Sequence, residues 1–164
     1  MAVPADSPSP RQQLETFEPQ KAALGMVFLL ANQLETVGNH FLGELTSKQW
    51  FLLANLDSFF QAPPTISQVA QTMHISHQNV KQLALKLQAK GFVQLQKDAQ
   101  DQRAWRIHLT QKAYAYSSAR LGKDLAFLEA LLNGVSPVSL DSFLATALQI
   151  HDNLTRMEGQ DLTE

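Results

Sequence analysis

In the stretch SHQNVKQLALKLQAKG, Gln78, Lys81, Gln82 and Lys86 recur at spacings of one, three and four residues. Amide side chains of this kind pair bidentately with adenine in a DNA major groove, and ammonium groups meet guanine or a phosphate. On a helix successive residues turn by about 100°. The face opposite Val80, Leu83 and Leu87 therefore presents Gln78, Gln82, Leu85 and Ala89, flanked by Lys81 and Lys86 and free of acids. For this helix alone an ordinary solvated face explains the pattern somewhat better than DNA contact does, because short polar faces are common.

The segment KDAQDQRAWRIHLT, Lys97 to Thr110, adds a second set. Its first half mixes acid, amide and base. Its second half alternates strictly, which predicts a strand with Trp105, Ile107 and Leu109 on the inward face. A loop carrying Lys97 and Arg103 on such a strand can reach a minor groove, where narrow A·T tracts attract arginine. Asp101 stands two residues before Arg103. Its carboxylate can hold the guanidinium extended, or Asp98 and Asp101 can make side-chain turn contacts.

The elements around these residues follow from periodicity and caps. Apolar residues from Leu14 to Leu45 predict one long amphipathic helix that ends or bends near Gly38 and Gly43. Thr46 is a hydroxyl cap for a helix bearing Trp50, Leu53 and Leu56, and Pro63 and Pro64 close a loop after it. Thr65 and Gln68 are spaced as a capping box for a short helix, and Ser76 caps the amide-bearing helix, which stops at Gly91. FVQLQK and AWRIHL form a β-hairpin. A helical stretch from Thr110 runs until Asn133 and Gly134, and Ser136 and Pro137 start a last helix. The order is mainly α: a winged helix-turn-helix with a two-stranded hairpin wing, between N- and C-terminal dimerisation helices. Its divisions are a disordered lead-in over 1–12, an N-terminal dimerisation helix over 13–45, the DNA-binding domain over 46–110 and C-terminal dimerisation helices over 111–164.

Composition narrows the classes. The 164 residues are 45% hydrophobic and have no run approaching the roughly 20 apolar residues that span a bilayer. No membrane partner is expected, and the start MAVPADSPSP is not a signal peptide, so the expected location is the cytoplasm. Without cysteine there is neither a disulfide framework nor a thiolate metal site. Five histidines include His74 and His77, but these straddle a turn, and no metal or other cofactor is expected. No phosphate loop, nucleophile elbow or carboxylate pair suggests an enzyme. The net charge of −2 conceals segregation: Ser76 to Lys112 holds seven bases against two acids, a balance of +5, which leaves −7 on the rest. A basic patch on an acidic body is the footprint expected for a polyanion partner, and equally that of a solvated face. Trp50, Phe51 and Trp105 are candidates for lining a ligand pocket or for plain core.

The stretches LTSKQWFLLANL, TISQVAQTMHISHQNVKQLALKLQAKGFV and DQRAWRIHLT together resemble the MarR (multiple-antibiotic-resistance regulator) family of transcription factors, from about Leu45 to Thr110. The most specific part is Asp101, Arg103, Leu109 and Thr110, in register with the helix-turn-helix and Gly91. The resemblance implies a homodimer with interlocked terminal helices, two winged helices on a pseudo-palindromic double-stranded operator, and a ligand, often a small aromatic acid, between the dimerisation and DNA-binding parts. It implies a repressor released by that ligand. The candidate DNA-contacting residues are Ser76, Gln78, Asn79, Lys81, Gln82, Lys86, Lys97, Asp101, Arg103 and Arg106. One position departs: the family usually has glycine three residues after the threonine of Leu-Thr, and this chain has Ala113. The rival functions are a winged-helix protein-interaction module and a non-specific architectural DNA binder.

Overall fold

The computed structural model describes residues 9–158. They form α1 (Pro10–Leu14), α2 (Pro19–Leu42), α3 (Ser47–Ser58), α4 (Ile66–Met73), α5 (His77–Ala89), β1 (Val93–Lys97), β2 (Trp105–Leu109), α6 (Gln111–Leu131) and α7 (Pro137–Met157). The chain divides into two compact units, one up to Tyr116 and one from Ser117 onward.

The first unit is built on local signals. Thr46 and Thr65 each accept the N–H of the third residue onward, Gln49 and Gln68, whose side chains accept the threonine N–H in return. Each hydroxyl cap contributes on the order of 1 kcal/mol. Leu52, Leu53 and Leu56 of α3, Ile66 and Val69 of α4, and Val80, Ala84 and Leu87 of α5 meet Phe92, Val93 and Ile107 of the hairpin in one buried core. Phe92 is fully buried and packs edge-on against Tyr116, with ring centroids 5.2 Å apart. Thr110 receives α6: its hydroxyl donates to the carbonyls of Gly91 and Phe92 and accepts the N–H of Ala113. Ala113 is itself buried, so the departure from glycine leaves the start of this helix intact and fills core space.

The N-terminal region differs from expectation. Instead of one helix from Leu14 to Leu45, a short helix ends at Leu14 and α2 begins at Pro19, whose fixed φ and missing N–H suit a first helical position. Pro10–Leu14 also makes the last residues of the expected disordered lead-in helical; residues 1–8 of that lead-in lie outside the described residues. Gly43, at φ 63°, ends α2. Gly38 does not interrupt it: the space of its missing Cβ is taken by the Ser47 hydroxyl, which donates to the Glu35 carbonyl at 3.1 Å and seats the first turn of α3 on α2.

In the second unit Ser136 caps α7, its hydroxyl accepting the Ser139 N–H at 3.1 Å. No residue of α7 is buried; Val138, Phe143, Leu144, Leu148 and Leu154 all stand exposed, and along α6 so do Leu121, Leu125 and Leu128. No helix of the described residues is long and apolar enough to cross a membrane.

Candidate nucleic-acid interface

The amide-bearing helix is held at three points. Its first turn is capped by the Ser76 hydroxyl, which accepts the Asn79 N–H at 3.2 Å. The turn before it closes on His74, a non-glycine residue at φ 50° whose N–H bonds the Ala70 and Gln71 carbonyls. At the far end the Gln88 side-chain Oε1 accepts the Leu95 N–H at 2.8 Å, and Lys90 donates to the Glu44 carbonyl and to the Gln49 side chain. With Val80, Ala84 and Leu87 buried, Gln78, Asn79, Lys81, Gln82, Leu85 and Lys86 are all exposed. The helix therefore offers solvent the acid-free amide face expected from its periodicity.

The wing is an antiparallel pair in which Val93 faces Leu109, Leu95 faces Ile107 and Lys97 faces Trp105. It is tied to the helix-turn-helix by a third, short partner that the alternation did not announce. Thr65 bridges to Arg106, and the Ile107 N–H bonds the Pro64 carbonyl at 2.9 Å. Asp98, buried at the base of the loop, is the organiser. Its Oδ1 accepts the N–H groups of Gln100 and Asp101, both at 2.8 Å, and its Oδ2 accepts from Arg106 Nε. Arg106 Nη1 donates onward to the Pro63 carbonyl at 2.7 Å. The Asp101 and Gln100 N–H groups, and after them the Arg106 guanidinium, hold the Asp98 carboxyl below the usual carboxylate range.

These contacts redistribute the roles of the expected residues. Asp101 does not grip the Arg103 guanidinium; its Oδ1 accepts the Arg103 backbone N–H at 2.9 Å, the turn contact that was the alternative. The ion pair of the wing is Asp98 with Arg106, so Arg106, expected among the DNA-contacting residues, has its guanidinium engaged inside the fold. Lys97 is also turned inward: its ammonium donates to the Gln102 carbonyl at 2.6 Å and lies 4.8 Å from the centre of the Trp105 ring. Lys112 pairs with Glu44 and lies over Phe92. Of the seven bases between Ser76 and Lys112, Lys81, Lys86 and Arg103 extend into solvent with no partner among the described residues, while Lys90, Lys97, Arg106 and Lys112 are bonded within the fold.

Trp105 corrects another expectation. It shares a face with Ile107 and Leu109, yet only Ile107 is fully buried and Trp105 is 38% exposed. The core ends before the outer rung of the hairpin, where Lys97 covers the ring instead. Trp50 and Phe51, the other two aromatics expected to line a ligand pocket or the core, are exposed on α3. Among the described residues no three His, Asp or Glu side chains gather as metal ligands. The turn contacts of Asp98 are those expected as one alternative; its pairing with Arg106 and the parts played by Gln88 and the Pro63 and Pro64 carbonyls were not expected, and the available signal was that Asp98 and Arg106 are diagonal neighbours on one face of the hairpin.

Residues 44–104 match the MarR family. The fold is that of solved MarR-type regulators. A MarR/EmrR family transcriptional regulator from Acinetobacter sp. ADP1 is 14% identical, with 86% of this chain and 100% of that chain covered at a TM-score of 0.74. The transcriptional regulator SlyA is 18% identical over 82% of this chain and 94% of its own, at 0.71. The S. aureus MepR–DNA complex gives 18% identity over 84% and 98%, also at 0.71.

Proposed function

Because residues 44–104 match the MarR family and the chain folds as the solved MarR-type regulators do, we propose that it is a homodimeric, sequence-specific DNA-binding transcriptional regulator. It acts in the cytoplasm as a repressor released by a small ligand, and it is not an enzyme. The observation that carries this reading is the exposed, acid-free face of α5 beside a wing whose one outward cation is Arg103. Such a pair supports a helix in the major groove with an arginine in the adjacent minor groove. The relative MepR was solved bound to DNA.

Dimerisation is supported by apolar faces that the single chain leaves open. Leu24, Val27, Phe28 and Leu34 of α2 and Phe143, Leu144, Leu148 and Leu154 of α7 are all at least 44% exposed. Exposed apolar surface on that scale marks an interface. In a two-fold dimer it would set two copies of α5 about one DNA turn apart, roughly 34–36 Å, which demands a palindromic site. The test is sedimentation at low micromolar concentration together with fluorescence anisotropy on labelled duplex DNA. The reading predicts twice the chain mass and binding that survives excess random duplex. A monomer, or binding abolished by random competitor, overturns it.

A further inference from the structure

We propose that Glu44, Lys90 and Lys112 form a latch that fixes the angle between α2 and the core around α5, and that operator binding depends on its being closed; the inference rests on the regulator reading above. The joint turns on Gly43, which ends α2 at φ 63° with open space where a Cβ would stand, three residues before the Thr46 cap of α3. Side chains grip it from two sides. On the first, the Ser47 N–H donates to Asn39 Oδ1 at 2.7 Å and Lys48 pairs with Glu35 at 3.0 Å, which holds α3 on α2. On the second, Lys112 Nζ donates to Glu44 Oε1 and to the Lys90 carbonyl, both at 2.9 Å, and lies 4.3 Å from the centre of the Phe92 ring. Lys90 Nζ in turn donates to the Glu44 carbonyl and to Gln49 Oε1. The Tyr116 hydroxyl completes this side, donating at 3.4 Å to the carbonyl of Leu42, the last residue of α2. The exit of α2 is thus held by the far end of α5 and the first turns of α6.

The place of the latch gives it leverage. Lys90 is the C-cap of α5, whereas Gln78 lies in its first turn. The 13 residues of α5 are about 20 Å long, so a tilt of about 10° about the latch carries that first turn by about 3–4 Å, one base-pair rise. Because α2 bears the exposed apolar face through which two chains would pair, the same tilt changes the separation of the two α5 helices in a dimer. Glu44 and Lys112 are half-exposed, and ion pairs so placed add little to global stability. Opening the latch therefore leaves the fold nearly as stable and puts α5 out of register with its half-site.

The test uses the full-length protein and the operator it selects from random duplex DNA, alongside the same operator with one base pair inserted between its half-sites. Lys112→Met keeps the methylene stem on Phe92 and removes the ammonium, and Glu44→Ala removes the carboxylate it meets. Both variants should melt near the parent temperature and bind the selected operator about three- to ten-fold more weakly. The double variant should bind no more weakly than either single one, because the two side chains act as a unit. Glu44→Ala carries the sign: deleting an acid that merely stood near DNA would tighten binding. Both variants should also discriminate less between the two spacings, since a loosened joint lets α5 reach the shifted half-site, whereas a lost phosphate contact or a general loss of stability would weaken both duplexes alike. Glu44→Ala binding at least as tightly as the parent, losses that add in the double variant, or an unchanged preference between the spacings overturns the inference and leaves the regulator reading in place. If no sequence is enriched, the regulator reading fails and the inference fails with it.

Discussion

Asp101 distinguishes a backbone role from a charge role. Its carboxylate accepts the Arg103 N–H at 2.9 Å in the loop tip, and an asparagine oxygen can do the same. Asp101→Asn keeps the acceptor and deletes the charge; Asp101→Ala deletes both. A net hydrogen bond of this kind is worth about 0.5–1.5 kcal/mol. With one wing per half-site the loss doubles to about 1–3 kcal/mol, so Asp101→Ala should weaken operator binding by about 5- to 150-fold if the tip must be ordered on the DNA. The deleted charge acts in the opposite direction and less strongly: a carboxylate about 10 Å from a phosphate in water is repelled by roughly 0.4 kcal/mol before salt screening. Asp101→Asn should therefore bind as tightly as the parent or up to a few-fold more tightly. Fluorescence anisotropy at physiological salt gives both affinities, and circular dichroism checks that the fold is kept. If Asp101→Asn binds as weakly as Asp101→Ala, the charge is what matters, and the backbone role is refuted in favour of a carboxylate–guanidinium pair formed on DNA.

Arg103→Ala, which removes an exposed side chain with no hydrogen-bond or ionic partner among the described residues, should leave thermal stability unchanged, weaken operator binding by about ten-fold or more, and flatten the salt dependence by about one unit per wing; an unchanged slope would place Arg103 away from phosphate. Asp98 should report on pH with a definite sign. Because its folded carboxyl titrates below the ordinary 3.8, its contribution to stability is complete above that value and fades as pH falls below it. Acid titration of the parent and Asp98→Asn should then show stabilities separated by a constant offset at pH 5–8 and converging below about pH 4; convergence near neutrality would contradict the assignment. Gly38→Ala should lower the melting temperature even though alanine favours helix over glycine by about 1 kcal/mol, because the new methyl group collides with the Ser47 hydroxyl that seats α3. A rise in melting temperature would show that Ser47 yields at no cost.

The parts of the fold that were legible in the sequence are those decided within one helical turn. Thr46 with Gln49, Thr65 with Gln68, Ser76 before Asn79 and Ser136 before Ser139 each place a hydroxyl three residues ahead of an N–H, and all four start helices where that spacing puts them. The amide face of α5 was legible for the same reason, since Val80, Ala84 and Leu87 define its opposite side. Partners set by the fold were not. Arg103 is near Asp101 in sequence, but the hairpin register brings Arg106 diagonally across to Asp98, and the register depends on a loop whose shape Asp98 itself fixes. Alternation assigned Trp105 to the correct face, yet it carries no information on where the core stops. The break between α1 and α2 was hidden because hydrophobic spacing continues across it, and Pro19 reads as a helix start only once the preceding turn is seen.

Selection of bound sites from random duplex DNA by the full-length protein, with the stoichiometry of the selected complex measured by sedimentation, tests most directly whether this winged helix is a specific dimeric regulator. The expected result is an inverted repeat whose half-site centres lie about 10 base pairs apart, or a multiple of that, bound by two chains. Enrichment of no sequence, or of a single asymmetric site bound by one chain, would contradict it.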